Sequence, residues 1–227
     1  MKLPLYLPFS RLTRSLLGGL LLTCLATTSA LGEVRHNERD YRIEILIFTQ
    51  IPGEGASEMP SAPYQPMPLN IATHRIGETP FWQSISEITP HPVRSVRSVP
   101  TQLNRQARAL ERSDDYRLLF HQAFQMHVVG RDRSLPLLIE GGERFAGHPE
   151  LIGQLHLSVA RFLHLETDLH LNHFEQQEQI ENEEQTSLLY ELTASSPMQQ
   201  RRRMRSSELH FIDSPRLGLL IFIERAE

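Results

Sequence analysis

The stretch Leu151-Ile152-Gly153-Gln154-Leu155-His156-Leu157-Ser158-Val159-Ala160-Arg161-Phe162-Leu163-His164-Leu165-Glu166-Thr167-Asp168-Leu169-His170-Leu171 alternates over an unusual length. Leu151, Gly153, Leu155, Leu157 and Val159 share one side, and Leu163, Leu165, Leu169 and Leu171 keep the same parity. Period-two alternation of this kind marks strands with one face on a core and one in water. The stretch is either one long bent strand with a bulge or two strands meeting near Arg161.

Upstream, Tyr41 to Phe48 alternates and then turns apolar on both sides, which predicts a strand whose far end is buried on both faces. Tyr116 to Phe124 and Leu137 to Ile139 read as two more strands, the latter stopped by Gly141-Gly142. Downstream, Leu188 to Leu192, Arg201 to Ile212 and Leu219 to Ile223 read as strands. Asp213-Ser214-Pro215-Arg216-Leu217-Gly218 makes a tight connection before the last of them. Glu175 to Gln185 is Glu- and Gln-rich and reads as a solvated connection. One helix is predicted after Thr101, an N-cap type, with Leu103, Ala107 and Leu110 on one side and Arg105, Arg108 and Arg112 on the other. Many strands, short connections and few helical patterns predict an α+β fold, mainly an antiparallel sheet with one or two packed helices.

The domain occupies residues 41–227, behind a flexible polar segment at 31–40. Residues 51–70 hold Pro52, Pro60, Pro63, Pro66 and Pro68 and read as a Pro-rich extended loop. Residues 1–30 read as a cleaved signal peptide. Lys2, Arg11 and Arg14 precede an apolar run from Leu16 to Ala26, and Thr28-Ser29-Ala30 fits a small-residue cleavage site. That run falls short of the roughly 20 apolar residues of a membrane-spanning helix. The expected location is therefore the periplasm, with no membrane span in the mature chain. The sole cysteine, Cys24, lies in Leu21-Leu22-Thr23-Cys24, which resembles a lipobox with Thr23 where Gly, Ala or Ser is expected. Cleavage after Ala30 would leave a mature chain without cysteine, which removes disulfides, thiolate zinc sites and cysteine nucleophiles together.

The formal charge is -4, and losing Lys2, Arg11 and Arg14 with no acidic residue takes it to -7. Nucleic acid is not the expected partner of so acidic a chain. Gly-x-Ser-x-Gly, a phosphate-binding glycine loop and Ser-x-x-Lys are all missing from the mature chain, so no catalytic residue is named and no cofactor is expected. His156, His164, Glu166, Asp168 and His170 share one parity and would face water opposite the leucines. The same spacing could present metal ligands, which keeps a metal-dependent hydrolase as a rival reading. Arg201-Arg202-Arg203-Met204-Arg205 is a concentrated positive patch, with Glu208, His210 and Asp213 close behind. These arginines either bind carboxylates and hydroxyls of a ligand or pair with the chain's own surplus of Asp and Glu.

The closing block Arg202-Arg203-Met204-Arg205-Ser206-Ser207-Glu208-Leu209-His210-Phe211-Ile212-Asp213-Ser214-Pro215-Arg216-Leu217-Gly218-Leu219-Leu220 resembles the carboxy-terminal signature of the CsiV family of peptidoglycan-binding periplasmic proteins. Tyr116 to Phe124 resembles that family's Y-R-V-L-x-H-x-A-W, and Arg161-Phe162-Leu163-His164-Leu165 its R-Y-L-H-x. The departures are Ser207 for glycine, Phe211 for tyrosine, Ser214 for histidine and Phe124 for tryptophan. The resemblance implies a non-catalytic protein that binds peptidoglycan and helps activate a bifunctional peptidoglycan synthase, acting with an outer-membrane lipoprotein. An interaction scaffold of the same complex that does not touch glycan is the other reading. The matching positions that could bind are His121, Arg161, His164, Arg203, Arg205, Glu208, His210 and Asp213. A hydrogen-bonded Arg-Glu-His-Asp corner holding two strands together would leave the same sequence trace.

Overall fold

The computed structural model of the chain describes residues 38–51, 62–63, 74–76, 94–145, 147–182 and 185–227. The signal segment 1–30, the start of the segment at 31–40 and most of the Pro-rich stretch lie outside them.

Among the described residues, eleven strands form a single sheet. In chain order they are β1 (Arg39–Gln50), β2 (Ala62–Pro63), β3 (His74–Ile76), β4 (Arg94–Val99), β5 (Tyr116–Val128), β6 (Leu137–Phe145), β7 (His148–Val159), β8 (Leu163–Asn182), β9 (Gln185–Met204), β10 (Leu209–Asp213) and β11 (Leu217–Arg225). The helix α1 (Asn104–Glu111) lies between β4 and β5. Across the sheet the order is β10-β11-β1-β5-β4-β3-β6-β7-β8-β9-β2. β3 pairs in parallel with both β4 and β6, and the other ladders are antiparallel. Ten strands make a nearly closed, barrel-like wall.

The long alternating stretch is two strands. Ala160 donates its backbone N–H to the Phe162 carbonyl at 3.0 Å, and the chain reverses around Arg161. Leu151 then lies opposite Leu171, and Val159 opposite Leu163, so the leucine parity carries across the turn. Those leucines point inward with Ile43, Ile45 and Ile47 of β1, Phe124 of β5, Met198 and Met204 of β9 and Leu219, Ile221 and Ile223 of β11. One core thus joins strands from both ends of the sheet. Each fully buried Leu or Ile contributes about 1.5–3 kcal/mol of transfer free energy. Gly153 is needed where β7 crowds β8: a Cβ there would lie 2.3 Å from the Asp168 carbonyl oxygen.

The expected α+β class is corrected to essentially all-β: the described residues are 72% strand and 6% helical, with one short helix among them. The expectation assumed an open sheet whose apolar face needs a layer of helices. Here the sheet curls so that its own halves cover each other, which leaves work for a single helix on the outside. α1 places Leu103 and Ala107 against Leu46, with Leu110, Leu118, Leu220 and Phe222 beside them. Glu175 to Gln185 also departs from its reading as a connection. β8 continues to Asn182 and pairs with β9 through Asn182 opposite Gln185, with register shifts on the way. Glu175, Gln176 and Gln177 are exposed there, so no apolar parity marks that part of the strand.

Candidate functional site

The outer face of β7, β8 and β9 carries the polar parity of the alternating stretch in ordered rows. Gln154, Asp168 and Gln199 stand side by side across the three strands, then His156, Glu166 and Arg201, then Ser158, His164 and Arg203. Register alone builds this array, because cross-strand neighbours share a face.

The connection from β5 to β6 folds back over these rows. Val159 donates its N–H to the Val129 carbonyl at 2.9 Å, Ser134 donates its hydroxyl to the Leu157 carbonyl, and His156 Nε2 donates to the Ser134 carbonyl at 2.8 Å. Arg131 is thereby brought to Glu166, at 2.8 Å from Oε1. Arg201 reaches the same carboxylate, with Nε 3.1 Å from Oε2. Two adjoining hollows of about 630 and 350 Å³ share Arg131, Glu166 and Arg201. Volumes of this order suit a small ligand or a segment of a polymer.

The charge in the groove is unbalanced. Arg131, Arg201, Arg202 and Arg203 line it against the carboxylates of Glu166 and Asp168. Asp168 is already engaged, by His170 Nε2 at 3.1 Å and Gln199 Nε2 at 2.9 Å. Arg203 has no carboxylate within ion-pair distance among the described residues; its guanidinium lies over the Phe162 ring at 4.7 Å, and Arg161 lies over the same ring at 5.6 Å. The result is a cationic groove on an acidic protein, able to hold anions and hydroxyl-rich ligands.

The structure therefore brings together three of the residues singled out in the sequence: Arg161, His164 and Arg203. The others lie elsewhere. His121 sits on the outer face of β5, with Nε2 2.8 Å from the carboxylate of Glu44. Glu44 is 1% exposed and also accepts the backbone N–H groups of Gln102 and Leu103 at 2.7 and 2.8 Å. This carboxylate from β1 fixes the two residues just before α1, whose N-cap is Leu103 and not the expected Thr101. Arg205, Glu208 and His210 form the turn between β9 and β10. The Arg205 N–H donates to His210 Nε2 at 3.3 Å, and Arg205 Nη1 lies 3.7 Å from Glu208 Oε1. Ser207 has φ 63° in that turn, a left-handed conformation in which glycine is free of strain. Asp213 borders a separate hollow between β9 and the β10–β11 connection, with Gln50, Gln200 and Pro215.

Taken separately, the five polar residues once considered as metal ligands are engaged on other partners or spread across rows. Among the described residues, no group of three His, Cys, Asp or Glu is placed to hold a metal ion.

The model of the peptidoglycan-binding protein CsiV family matches residues 17–226, nearly the whole chain. The chain belongs to the CsiV family. Searches of the curated proteins and of the solved structures find no match. The CsiV match covers the closing block, the β5 block and the β7–β8 turn alike. Its description as peptidoglycan-binding gives the anionic, hydroxyl-rich class of ligand that the groove suits. No helix among the described residues is long and apolar enough to cross a membrane.

Sequence reasoning missed Arg131, Gln199, Phe162 and Glu44 as members of these sites. Arg131 follows a strand end and lies in Gly130-Arg131-Asp132-Arg133, which no periodicity distinguishes from any polar turn. Phe162 carried a signal, an aromatic beside Arg161 in a turn. Only the register of β9 shows that Arg203 stacks there too.

Proposed function

We propose that this protein is a non-catalytic peptidoglycan-binding factor of the periplasm, and that it holds the wall polymer in the groove over β7, β8 and β9. The observation that carries the reading is the unbalanced row of guanidiniums on that face, in a chain of peptidoglycan-binding family. Glycan strands offer hydroxyls and amides to Gln199, His164 and the arginines, while peptide stems offer carboxylates. In this reading the amino-terminal segment directs export, and the bound protein supports a bifunctional synthase together with an outer-membrane lipoprotein.

The test is co-sedimentation of the purified mature protein with isolated sacculi. Wild type should pellet, and Arg201→Ala combined with Arg203→Ala should stay largely in the supernatant with an unchanged melting curve. Wild type remaining in the supernatant like a control protein would remove the wall-binding claim.

A contact with protein in the same complex is favoured by a separate observation. Leu209 and Phe211 are 45% and 50% exposed on β10, at the end of the sheet, with Phe211 stacked on Phe48 at 6.3 Å. Exposed apolar side chains on a terminal strand suit a partner surface. Stimulation of a purified synthase that survives loss of sacculus binding would favour the scaffold reading.

A further inference from the structure

We infer that Arg161 and Arg203, both held over the ring of Phe162, form a clamp for a carboxylate, so that this face reads the acidic groups of the wall polymer and not its sugar hydroxyls. The inference rests on the reading that this groove binds peptidoglycan, and it names the chemical group recognised.

The groove contains its own demonstration of what its guanidiniums prefer. Arg131 and Arg201 converge on one carboxylate, that of Glu166, at 2.8 and 3.1 Å. Arg161 and Arg203 have the same chemistry and no such partner among the described residues. Each instead has its Cζ over the ring of Phe162, at 5.6 and 4.7 Å from the centroid. A ring face attracts a guanidinium without using up its N–H donors, which remain able to fork a carboxylate. An arginine already held against a ring has less rotamer freedom to lose on binding than a loose surface arginine.

The surroundings favour an anion over a neutral sugar. His164 stands beside Arg203 across the ladder, and Arg202 lines the same hollow. The nearest acid in that hollow, Glu166, is already held by two arginines. A neutral hydroxyl would leave this excess charge unanswered. A carboxylate answers it with charge-assisted hydrogen bonds, which are roughly twice as strong as neutral ones.

Peptidoglycan offers carboxylates from two sources, the peptide stems and the lactyl groups left when stems are removed. Three preparations separate them: intact sacculi, sacculi whose carboxylates have been converted to amides with carbodiimide and ammonia, and amidase-denuded glycan. Wild-type protein should bind amidated sacculi about tenfold more weakly than intact ones. Arg161→Ala with Arg203→Ala should lose the same factor on intact sacculi and lose nothing further on amidated ones. Arg203→Lys, which keeps the charge without the planar fork, should recover only part of it, and Phe162→Leu should fall between. Strong binding to denuded glycan would assign the lactyl carboxylate, and weak binding the stem; both outcomes support the clamp. Equal binding to intact and amidated sacculi would overturn the clamp while leaving wall binding in place. Binding to none of the preparations would refute wall binding itself, and the clamp with it.

Discussion

Two outer faces of the sheet carry a histidine, arginines and a glutamate, and they differ in what those groups are joined to. On the β1–β5 face, Glu44 is buried beneath α1 and closed in by His121, by the N–H groups of Gln102 and Leu103, and by Arg42 at 3.7 Å. On the β7–β9 face, Glu166 holds Arg131 and Arg201 but leaves Arg203 without a carboxylate among the described residues. The first set is complete within the chain. The second is incomplete and opens onto a groove. Residues of the same chemical types therefore play opposite roles, and saturation of their bonding capacity is what separates a structural set from a binding one.

Glu44→Ala should break the closed set most severely. It leaves the N–H groups of Gln102 and Leu103, His121 and Arg42 without their shared acceptor in a buried position, a loss of about 3–5 kcal/mol by analogy with broken buried pairs. For a domain of this size that is roughly a 10 °C fall in melting temperature, read by circular dichroism. Sacculus binding by the protein that remains folded should be unchanged. A melting curve like wild type's would show that α1 is not held by this carboxylate.

The two histidines sharpen the comparison at a smaller scale. His121→Ala should cost about 1–2 kcal/mol in a denaturant titration, because it removes a hydrogen bond to a buried charge. His164→Ala, on an open face, should stay within about 0.5 kcal/mol of wild type. The order of their effects on sacculus binding should be reversed. Equal stability losses would mean that the groove face is structural as well.

This contrast also explains what could be read from the sequence. Strand parity was legible wherever a leucine faced the common core, from Leu151 to Leu171, because burial of one face imposes period two. It failed past Phe174, where Glu175 to Gln177 are exposed. The closed wall was not legible either: parity says which residues face inward but not that β11 and β8 enclose the same core, and helices were expected where the sheet covers itself. The site was half legible. His164 and Arg203 stood out by type, yet His121 stood out equally, and only Glu44, 77 residues from it, tells the two histidines apart. Arg131 enters the groove through a connection that folds back 35 residues along the chain to Glu166, a contact no local pattern encodes.

The closing block gives the smallest expected effect and the finest division between fold and function within one motif. Its arginines at 202 and 203 line the groove, whereas Arg205, Ser207 and His210 shape the β9–β10 turn. The resemblance places glycine where this chain has Ser207, and φ 63° supplies the physical reason, since a Cβ in the left-handed region crowds the backbone. Part of that strain is offset because serine leaves the unfolded chain less entropy to lose than glycine would. Ser207→Gly should therefore stabilise the protein by only about 0.5 kcal/mol, visible as a small shift of the denaturant midpoint at constant slope. Ser207 also donates its N–H to the Ile223 carbonyl at 2.7 Å, a bond that glycine keeps. Wall binding should not move. A stabilised variant with altered binding would mean that the turn and the groove are coupled through β9, and that the division drawn between them inside the motif is too sharp.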